Sequence, residues 1–277
     1  MPTNSITISP IPAFSDNYIW AITSEKNNHL ALVDPGDADT CIDFINHQQK
    51  QLTSILITHH HIDHVGGIDK LLTFCQENNW PLTIYSPAFK PLPNQATLPI
   101  PLKHNKHVDV VISEGDVVEL TEFNLKLNVL DVSGHTLEHI AYHNSDMLFC
   151  GDALFSGGCG RRFEGSAEQM HLALQKLARL PDSTQVYCAH EYTLANLAFA
   201  INVEPDNKNL QQYITQIKKI RSQNIPSLPS SIGQEKNINP FLRTHLNTVR
   251  QQVSLFSKKQ LTNSIDVFDY LRRWKDQ

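Results

Sequence analysis

The amino-acid sequence predicts an α/β protein in two parts, a strand-rich α/β domain followed by a small helical domain. Short apolar segments alternate with segments of helical periodicity up to about residue 190. Beyond that point the apolar residues fall at helical spacing, as Leu194, Leu197 and Ile201 do. Such a change of pattern is typical of a boundary between domains. We therefore predict domains over residues 1–190 and 191–277.

The first predicted domain alternates strands with helices. Leu125 and Leu127 alternate with polar neighbours, which is the pattern of a half-buried strand. We predict strands over residues 6–8, 19–22, 30–33, 55–58, 82–85, 123–129, 147–150 and 186–189. Helices are predicted over residues 40–49, 67–78 and 166–180, and the last begins with a capping box from Ser166 to Gln169.

The second predicted domain is helical throughout, apart from one connector. Apolar residues recur at helical spacing in residues 194–201 and 210–220, and helices are also predicted from Pro240 onward and over 266–275. Residues 222–239 are polar and contain prolines, so we predict a connecting loop there.

Composition argues against several classes of function. A formal net charge of −5 gives no basis for binding nucleic acid or an anionic membrane, and it disfavours a nuclease. No segment approaches the roughly 20 apolar residues that a membrane span needs. Residues 1–5 lack the basic start of a signal peptide, so we expect a cytoplasmic protein. The cysteines form no C-x-x-C pair and are predicted to be buried thiols in a reducing compartment: Cys41, Cys75, Cys150, Cys159 and Cys188.

Four residues that can bind metals follow the predicted strand at 55–58. They are His59, His61, Asp63 and His64. The His-x-His pair suits one metal ion, and the adjacent Asp-His pair suits a second. Nitrogen and carboxylate ligands without thiolates fit zinc, iron or manganese in an open catalytic site. The alternative is a surface histidine cluster, but this run follows a strand and ends in two glycines before a predicted helix.

Three further candidate ligands each follow a predicted strand. His135 comes after residues 129–132, Asp152 after 147–150 and His190 after 186–189. Ligand sites in α/β proteins gather at strand ends, because rigid strands hold the loops that converge there. A carboxylate can bridge two cations through its two oxygens, so we expect Asp152 to bridge.

The run from His59 to Gly67 resembles the H-x-H-x-D-H signature of the metallo-β-lactamase superfamily. Other segments are similar to glyoxalase II, the hydroxyacylglutathione hydrolase family: FSDNYIW at 14–20, VDPG at 33–36, FCGDALF at 149–155, GCGR at 158–161, HEYT at 190–193 and RRWKD at 272–276. The resemblance spans nearly the whole chain. It implies an αββα sandwich that carries two metals, with a helical domain that closes over the substrate.

The resemblance also implies roles for individual residues. One metal would take His59, His61 and His135, and the other would take Asp63, His64 and His190, with Asp152 bridging. The glutathione moiety would contact Arg161, Phe163, Tyr192, Arg272 and Lys275. This chain departs from the family where Arg161 replaces a frequent lysine, Phe163 replaces a tyrosine of some members, and Glu138 replaces the usual glycine. Without the resemblance, Arg272, Arg273 and Lys275 would be read as a solvated basic face near a helix end.

The resemblance implies a small-molecule glutathione thioester as substrate, within methylglyoxal degradation, and we expect a monomer. Two divalent metals, zinc with iron or manganese as alternatives, would bring a shared water to a pKa of about 7. The resulting hydroxide, oriented by Asp63, would attack the thioester carbonyl of a compound such as S-lactoylglutathione. A thiol has a pKa of about 8.5, so the thiolate leaves with little help from an acid. Two alternatives are a mononuclear iron dioxygenase acting on glutathione persulfide and a non-catalytic metal-binding protein.

Overall fold

The structure is a computed structural model that describes residues 6–89 and 108–277. Our expectation about a signal peptide in residues 1–5 therefore lies outside the described residues. The described chain divides into two compact units. The first unit comprises the described part of Met1–Asp131 with Glu138–Asn144, and the second unit comprises Val132–Leu137 with Ser145–Gln277. The domain boundary at residue 190 stays a prediction.

The first unit contains a mixed sheet and a separate group of antiparallel strands. The sheet has its strands in chain order: β1 (Ile6–Ala13), β2 (Asn17–Ser24), β3 (His29–Val33), β4 (Gln51–Leu56), β5 (Thr83–Ser86) and β6 (Val110–Val111). Strands β1 to β3 pair antiparallel, whereas β3 to β6 pair parallel. The antiparallel group is β7 (Val117–Leu120), β8 (Leu125–Asp131) and β9 (Ile140–His143). The helices are α1 (Ala38–Gln48), α2 (Ile62–Val65) and α3 (Ile68–Glu77).

The core of the first unit holds its strand ends in place. Leu30 and Leu32 of β3 share one apolar cluster with Ile45 of α1 and Leu71 of α3. Full burial of an aliphatic side chain of this size contributes about 1.5–3 kcal/mol. Because β3 and β4 are parallel and pair at their last residues, the segments that leave them begin side by side.

The second unit combines short strands with most of the helices. Its strands are β10 (Met147–Gly151), β11 (Leu154–Phe155), β12 (Gly158–Cys159), β13 (Gln185–Cys188) and β14 (Ser230–Ser231). Its helices are α4 (Ala167–Leu177), α5 (Thr193–Val203), α6 (Lys208–Arg221), α7 (Ile232–Ile238), α8 (Asn247–Ser257) and α9 (Ser264–Lys275). Strands β10 and β13 run parallel and pair Gly151 with Cys188, so their carboxyl ends are neighbours.

Most predicted elements of the second unit are present, with one error. The capping box of α4 is confirmed, because the Ser166 hydroxyl accepts from Gln169 N–H and the Gln169 side chain accepts from Ser166 N–H. The predicted loop over 222–239 is wrong in its second half, since α7 lies there, capped by Ser231.

All five cysteines are buried thiols. Among the residues that the structure describes, none of the helices is both long and apolar enough to cross a bilayer.

Candidate functional site

The four clustered ligands of the first unit lie where β4 leads into α2, and they form the two pairs that the sequence predicts. Nε2 of His59 lies 3.1 Å from Nδ1 of His61. Nε2 of His64 lies 3.5 Å from Oδ2 of Asp63. His59 and His64 are buried. Each pair thus brings two potential ligand atoms close enough to share one cation.

Asp34 and Thr58 orient the imidazoles of this first set. The Asp34 carboxylate accepts from Thr58 N–H at 2.8 Å and from Thr58 Oγ at 2.7 Å, and its Oδ2 lies 3.0 Å from Nδ1 of His64. The Thr58 hydroxyl donates to Asp34, so it is left to accept from Nδ1 of His59 at 3.0 Å. Both imidazoles then carry their proton on Nδ1 and present the lone pair of Nε2. Sequence analysis did not identify these two orienting residues.

Asp63 is held by two other segments of the first unit. Asn17, at the start of β2, donates from Nδ2 to Oδ2 of Asp63 at 2.9 Å. The turn after β3 passes beneath Asp63, where a Cβ on Gly36 would lie 1.8 Å from the Asp63 carbonyl oxygen. Only glycine permits this close approach. The Asp63 side chain therefore has a defined orientation although it is only partly buried.

The second unit brings together His135, Asp152 and His190. Asp152 directly follows β10, and His190 lies two residues after β13. Nε2 of His135 lies 3.4 Å from Oδ2 of Asp152, and Nε2 of His190 lies 3.3 Å from Oδ1 of the same carboxylate. The two oxygens of Asp152 thus face different imidazoles. This is the arrangement expected of a carboxylate that bridges two cations.

His135 and Asp152 are better suited to bind a cation between them than to hydrogen-bond to each other. Nδ1 of His135 lies 2.8 Å from the carbonyl oxygen of Arg161, which can only accept, so a neutral His135 carries its proton on Nδ1. Its Nε2 lone pair then faces an oxygen of Asp152, and both atoms are acceptors. A divalent cation bound by both would satisfy them, and imidazole with carboxylate suits zinc, iron or manganese.

Aromatic rings enclose the His190 imidazole. The Tyr192 ring stacks on it with centroids 4.7 Å apart and planes at 5°. Phe155 meets His190 edge-on at 5.8 Å and meets Tyr192 edge-on at 5.2 Å. Tyr192 directly precedes α5, and its ring contacts a candidate metal ligand.

One cavity of the second unit connects the ligands with the predicted substrate residues. Its volume is about 440 Å³. Two candidate ligands, His135 and Asp152, line it. The same cavity is lined by all five predicted glutathione contacts: Arg161, Phe163, Tyr192, Arg272 and Lys275. Residues chosen from three separate segments of the sequence therefore meet around one space.

The basic residues of α9 do not form one solvated face. Arg272 is only 3% exposed, and its guanidinium donates to the Cys159 carbonyl at 2.9 Å and pairs with Asp276 at 2.9 Å. Arg273 is exposed and pairs with Asp269, so it alone fits the solvated reading. The alternative interpretation, a solvated basic face near the helix end, is thus wrong for Arg272.

Lys275 and Arg161 differ in burial. Burial, reinforced by the positive charge of Arg272, lowers the pKa of the Lys275 ammonium to about 8. Its Nζ donates to the side-chain oxygen of Asn196. The Arg161 side chain is 70% exposed and lies 3.8 Å from Asp276. Of these two cations of the cavity, Lys275 is therefore partly desolvated and Arg161 is solvated.

The two other departures from the family pattern lie in different units. Phe163 is exposed, and its ring lies edge-on to His135 with centroids 5.2 Å apart. Glu138 belongs to the first unit, where its Oε2 lies 3.9 Å from Nδ1 of His60. Phe163 thus contacts the candidate ligand His135 through its ring and also through its backbone N–H, which donates to the His135 carbonyl oxygen at 3.2 Å.

Comparisons with known proteins agree with the fold and the resemblance. The model of the metallo-β-lactamase superfamily matches residues 14–190, and the model of the hydroxyacylglutathione hydrolase C-terminus matches residues 191–277. A hydroxyacylglutathione hydrolase of Aeromonas salmonicida is 48% identical over 270 residues, which are 98% of each chain. One of Shewanella pealeana is 46% identical and covers 97% of this chain and 98% of its own.

Solved structures show the same fold at lower identity. A crystal structure of ETHE1 from Myxococcus xanthus has a TM-score of 0.59 at 23% identity and covers 96% of this chain and 95% of its own. The BLEG-1 B3 metallo-β-lactamase has a TM-score of 0.58 at 18% identity and covers 86% and 99%. The predicted metallo-β-lactamase-like α/β fold with a helical C-terminal region is confirmed.

Family and chemistry together define the kind of protein. The superfamily and the imidazole and carboxylate donors imply divalent metal ions. Relatives over nearly the full length are enzymes named for the hydrolysis of hydroxyacylglutathione. The chain belongs to the hydroxyacylglutathione hydrolase family of the metallo-β-lactamase superfamily.

Proposed function

We propose that the protein hydrolyses S-2-hydroxyacylglutathione, such as S-lactoylglutathione, to glutathione and a 2-hydroxy acid, and so takes part in methylglyoxal degradation. The observation that carries the proposal is the cavity of the second unit, where His135 and Asp152 share one space with Arg161 and Lys275. A thioester of glutathione has both features that this cavity addresses, a reactive carbonyl and a peptide with two carboxylates. Family membership supports the same substrate class.

We propose that the two ligand sets hold two divalent ions, zinc or alternatively iron or manganese. One ion would be held by His59, His61 and His135 and the other by Asp63, His64 and His190, with the Asp152 carboxylate available to both. Bound ions of this kind supply Lewis acidity towards the thioester carbonyl and lower the pKa of water to about 7. Thr58, Asp34 and the backbone carbonyl of Arg161 hold Nδ1 of His59, His64 and His135, respectively, so that each of these imidazoles presents Nε2 to an ion.

Asp63 is the residue to which we assign the catalytic role. Because Asn17 donates to its Oδ2, the carboxylate keeps one orientation and can accept a hydrogen bond from the attacking water. No acid is needed for the leaving group, since a thiol of pKa about 8.5 departs as the thiolate. This accounts for a cavity whose remaining polar groups serve binding.

The glutathione moiety meets cations and aromatic rings. Lys275 and Arg161 would pair with its carboxylates, and the Tyr192 and Phe163 rings would pack against its peptide. Arg272 also lines the cavity, but it is buried in the cavity wall, where its guanidinium donates to the carbonyl oxygen of Cys159. We expect these contacts to contribute to binding more than to the chemical step, because they address the part of the substrate remote from the carbonyl.

The test is thiol release from S-lactoylglutathione by purified protein, combined with elemental analysis. We expect turnover and two divalent ions per chain, and we expect Asp63→Asn to remove turnover while the fold is retained. The dioxygenase alternative predicts oxygen consumption with glutathione persulfide instead. Protein that holds metal but releases no thiol would contradict the proposed function.

We also propose that the protein acts as a cytoplasmic monomer. Five buried thiols suit a reducing compartment. Light scattering coupled to size exclusion tests the monomer directly, since a dimer would elute at twice the mass of 31.3 kDa.

A further inference from the structure

The turn between β11 and β12, residues 155–158, is held by side chains that come from the helices. Nδ2 of Asn239, the residue after α7, donates to the carbonyl oxygens of Phe155 at 3.1 Å and Gly158 at 2.8 Å. The carboxylate of Glu235 in α7 accepts from Gly157 N–H at 2.8 Å and from the same Asn239 amide at 3.1 Å. Glu235 and Asn239 therefore form hydrogen bonds with three of the four residues of the 155–158 turn.

The fourth residue of the turn is held by two other helices. Nδ2 of Asn196 in α5 donates to the carbonyl oxygen of Ser156 at 3.0 Å. The Ser156 hydroxyl lies 3.1 Å from the hydroxyl of Tyr213 in α6. A Cβ on Gly158 would lie 2.6 Å from Cγ of Asn196, so the turn packs directly on α5. Every residue of the 155–158 turn is thus tied to the helical part of the second unit.

The use of Glu235 to hold the turn carries a free-energy cost, because its carboxyl group is buried. It is fully buried, and this burial raises the pKa of its carboxyl above the usual value. A carboxyl group removed from water is costly unless hydrogen bonds compensate. Its donors include the Gly157 N–H of the turn and the amide of Asn239 that also binds the turn. The side chains of Glu235 and Asn239 therefore serve to hold residues 155–158 in position.

The turn matters because Phe155 stands against the candidate ligand His190. Phe155 is buried, and its ring meets both His190 and the Tyr192 ring that stacks on His190. Nε2 of His190 then faces Oδ1 of Asp152 at 3.3 Å. A displaced turn would move Phe155 away and release one side of the enclosure around the imidazole.

We propose that Glu235 and Asn239 are positioning residues for His190, acting through the 155–158 turn and the Phe155 ring. The inference rests on the proposed role of His190 and Asp152 as metal ligands. Neither Glu235 nor Asn239 lines the cavity, so their effect is on metal retention rather than on contact with the substrate. Partners that orient metal ligands typically change metal affinity about 10- to 100-fold when they are removed.

The chain offers a matched control for Glu235. Glu204 is also buried and also lies in the helical part of the second unit, but its carboxylate pairs with Arg243 at 2.7 Å and 3.0 Å. Glu204→Ala therefore removes a buried carboxylate of similar setting without touching the turn. Glu235→Gln is the conservative variant, because its amide oxygen can still accept from Gly157 and Asn239.

The experiment measures the rate at which zinc-loaded protein transfers metal to a chromogenic chelator, with the unfolding midpoint of each metal-free variant as reference. We expect Glu235→Ala and Phe155→Leu to lose one of two zinc ions at least about tenfold faster than wild type. Glu235→Gln and Glu204→Ala should release zinc as wild type does, even though Glu204→Ala lowers the unfolding midpoint.

Equal zinc release by Glu235→Ala and Glu204→Ala would overturn the inference. If Glu235→Ala does not fold, Phe155→Leu decides, and wild-type zinc release by that variant would equally overturn it. A wild-type protein that takes up no metal would instead refute the proposed function, so the two failures are distinguishable.

Discussion

The first unit takes its candidate ligands from four of six consecutive positions, whereas the second unit gathers His135, Asp152 and His190 from distant segments. The four ligands from His59 to His64 form the consecutive set, and the other three form the dispersed set. The consecutive set is oriented by Asn17 at the start of β2, by Asp34 directly after β3 and by Thr58 just after β4. The dispersed set depends on a loop carbonyl, two aromatic rings and a turn held by helices. One set is thus built by a sheet edge, and the other is built by the packing of the helical part.

The largest effect should come from the consecutive set itself. His59→Ala and Asp63→Asn should each lower kcat/KM for S-lactoylglutathione by about a thousandfold or more, since several kcal/mol of metal-supplied stabilisation are lost. Circular dichroism should show retained secondary structure, because neither His59 nor Asp63 belongs to the apolar core cluster of the first unit. Near-normal turnover in either variant would show that this set is not the reacting centre.

A second prediction compares the devices that orient the two sets. Asp34→Asn weakens the hydrogen bond to Nδ1 of His64, so we expect metal affinity to fall about 10- to 100-fold. Competition with a chelator measures this loss. Thr53→Ser serves as a control, because Thr53 bonds a backbone carbonyl of β3 and touches none of the ligands in its described contact. Unchanged metal affinity in Asp34→Asn would mean that the strand edge orients His64 without this carboxylate.

Sequence reasoning reached the candidate ligands because each has a local signal. The run from His59 to His64 is visible as a motif, and Asp152 and His190 each follow an apolar strand. Asp34 directly follows β3 and so carries the same local signal, although the sequence analysis did not single it out as a functional residue. The same rule applied evenly would have found it. The contribution of Asn17 depends on which atoms meet after folding, and no spacing in the sequence reports that.

The fold was predictable where periodicity is strong and not where tertiary contacts decide. Strands β3 and β10 were placed within a residue or so, since their apolar runs are continuous. Helix α7 was missed because seven residues form a stable helix only through packing, here by the burial of Ile232 and Ile238. The burial of Arg272 was equally invisible, because its partner at Cys159 is remote in the sequence.

The charge of Lys275 in the cavity should make substrate binding depend on pH. The pKa of Lys275 is about 8, so its charge is present below pH 8 and is lost as the pH rises through that value. We expect KM for a glutathione thioester to rise about tenfold between pH 7 and pH 9, as a charge-assisted contact disappears. Lys275→Arg should keep KM flat over this range, because arginine stays charged. A rise of the same size in Lys275→Arg would place the titrating group elsewhere.

The smallest effect should come from Arg161, whose side chain is 70% exposed. Arg161→Ala should raise KM about two- to threefold with kcat unchanged, since an exposed ion pair contributes only about 0.2–1 kcal/mol. His135 is held by the backbone carbonyl of Arg161, so the substitution leaves that hydrogen bond and the metal content unaltered. Steady-state kinetics with elemental analysis separates the two functions of this residue. A loss of metal in Arg161→Ala would show that the side chain, and not only the backbone, shapes the dispersed set.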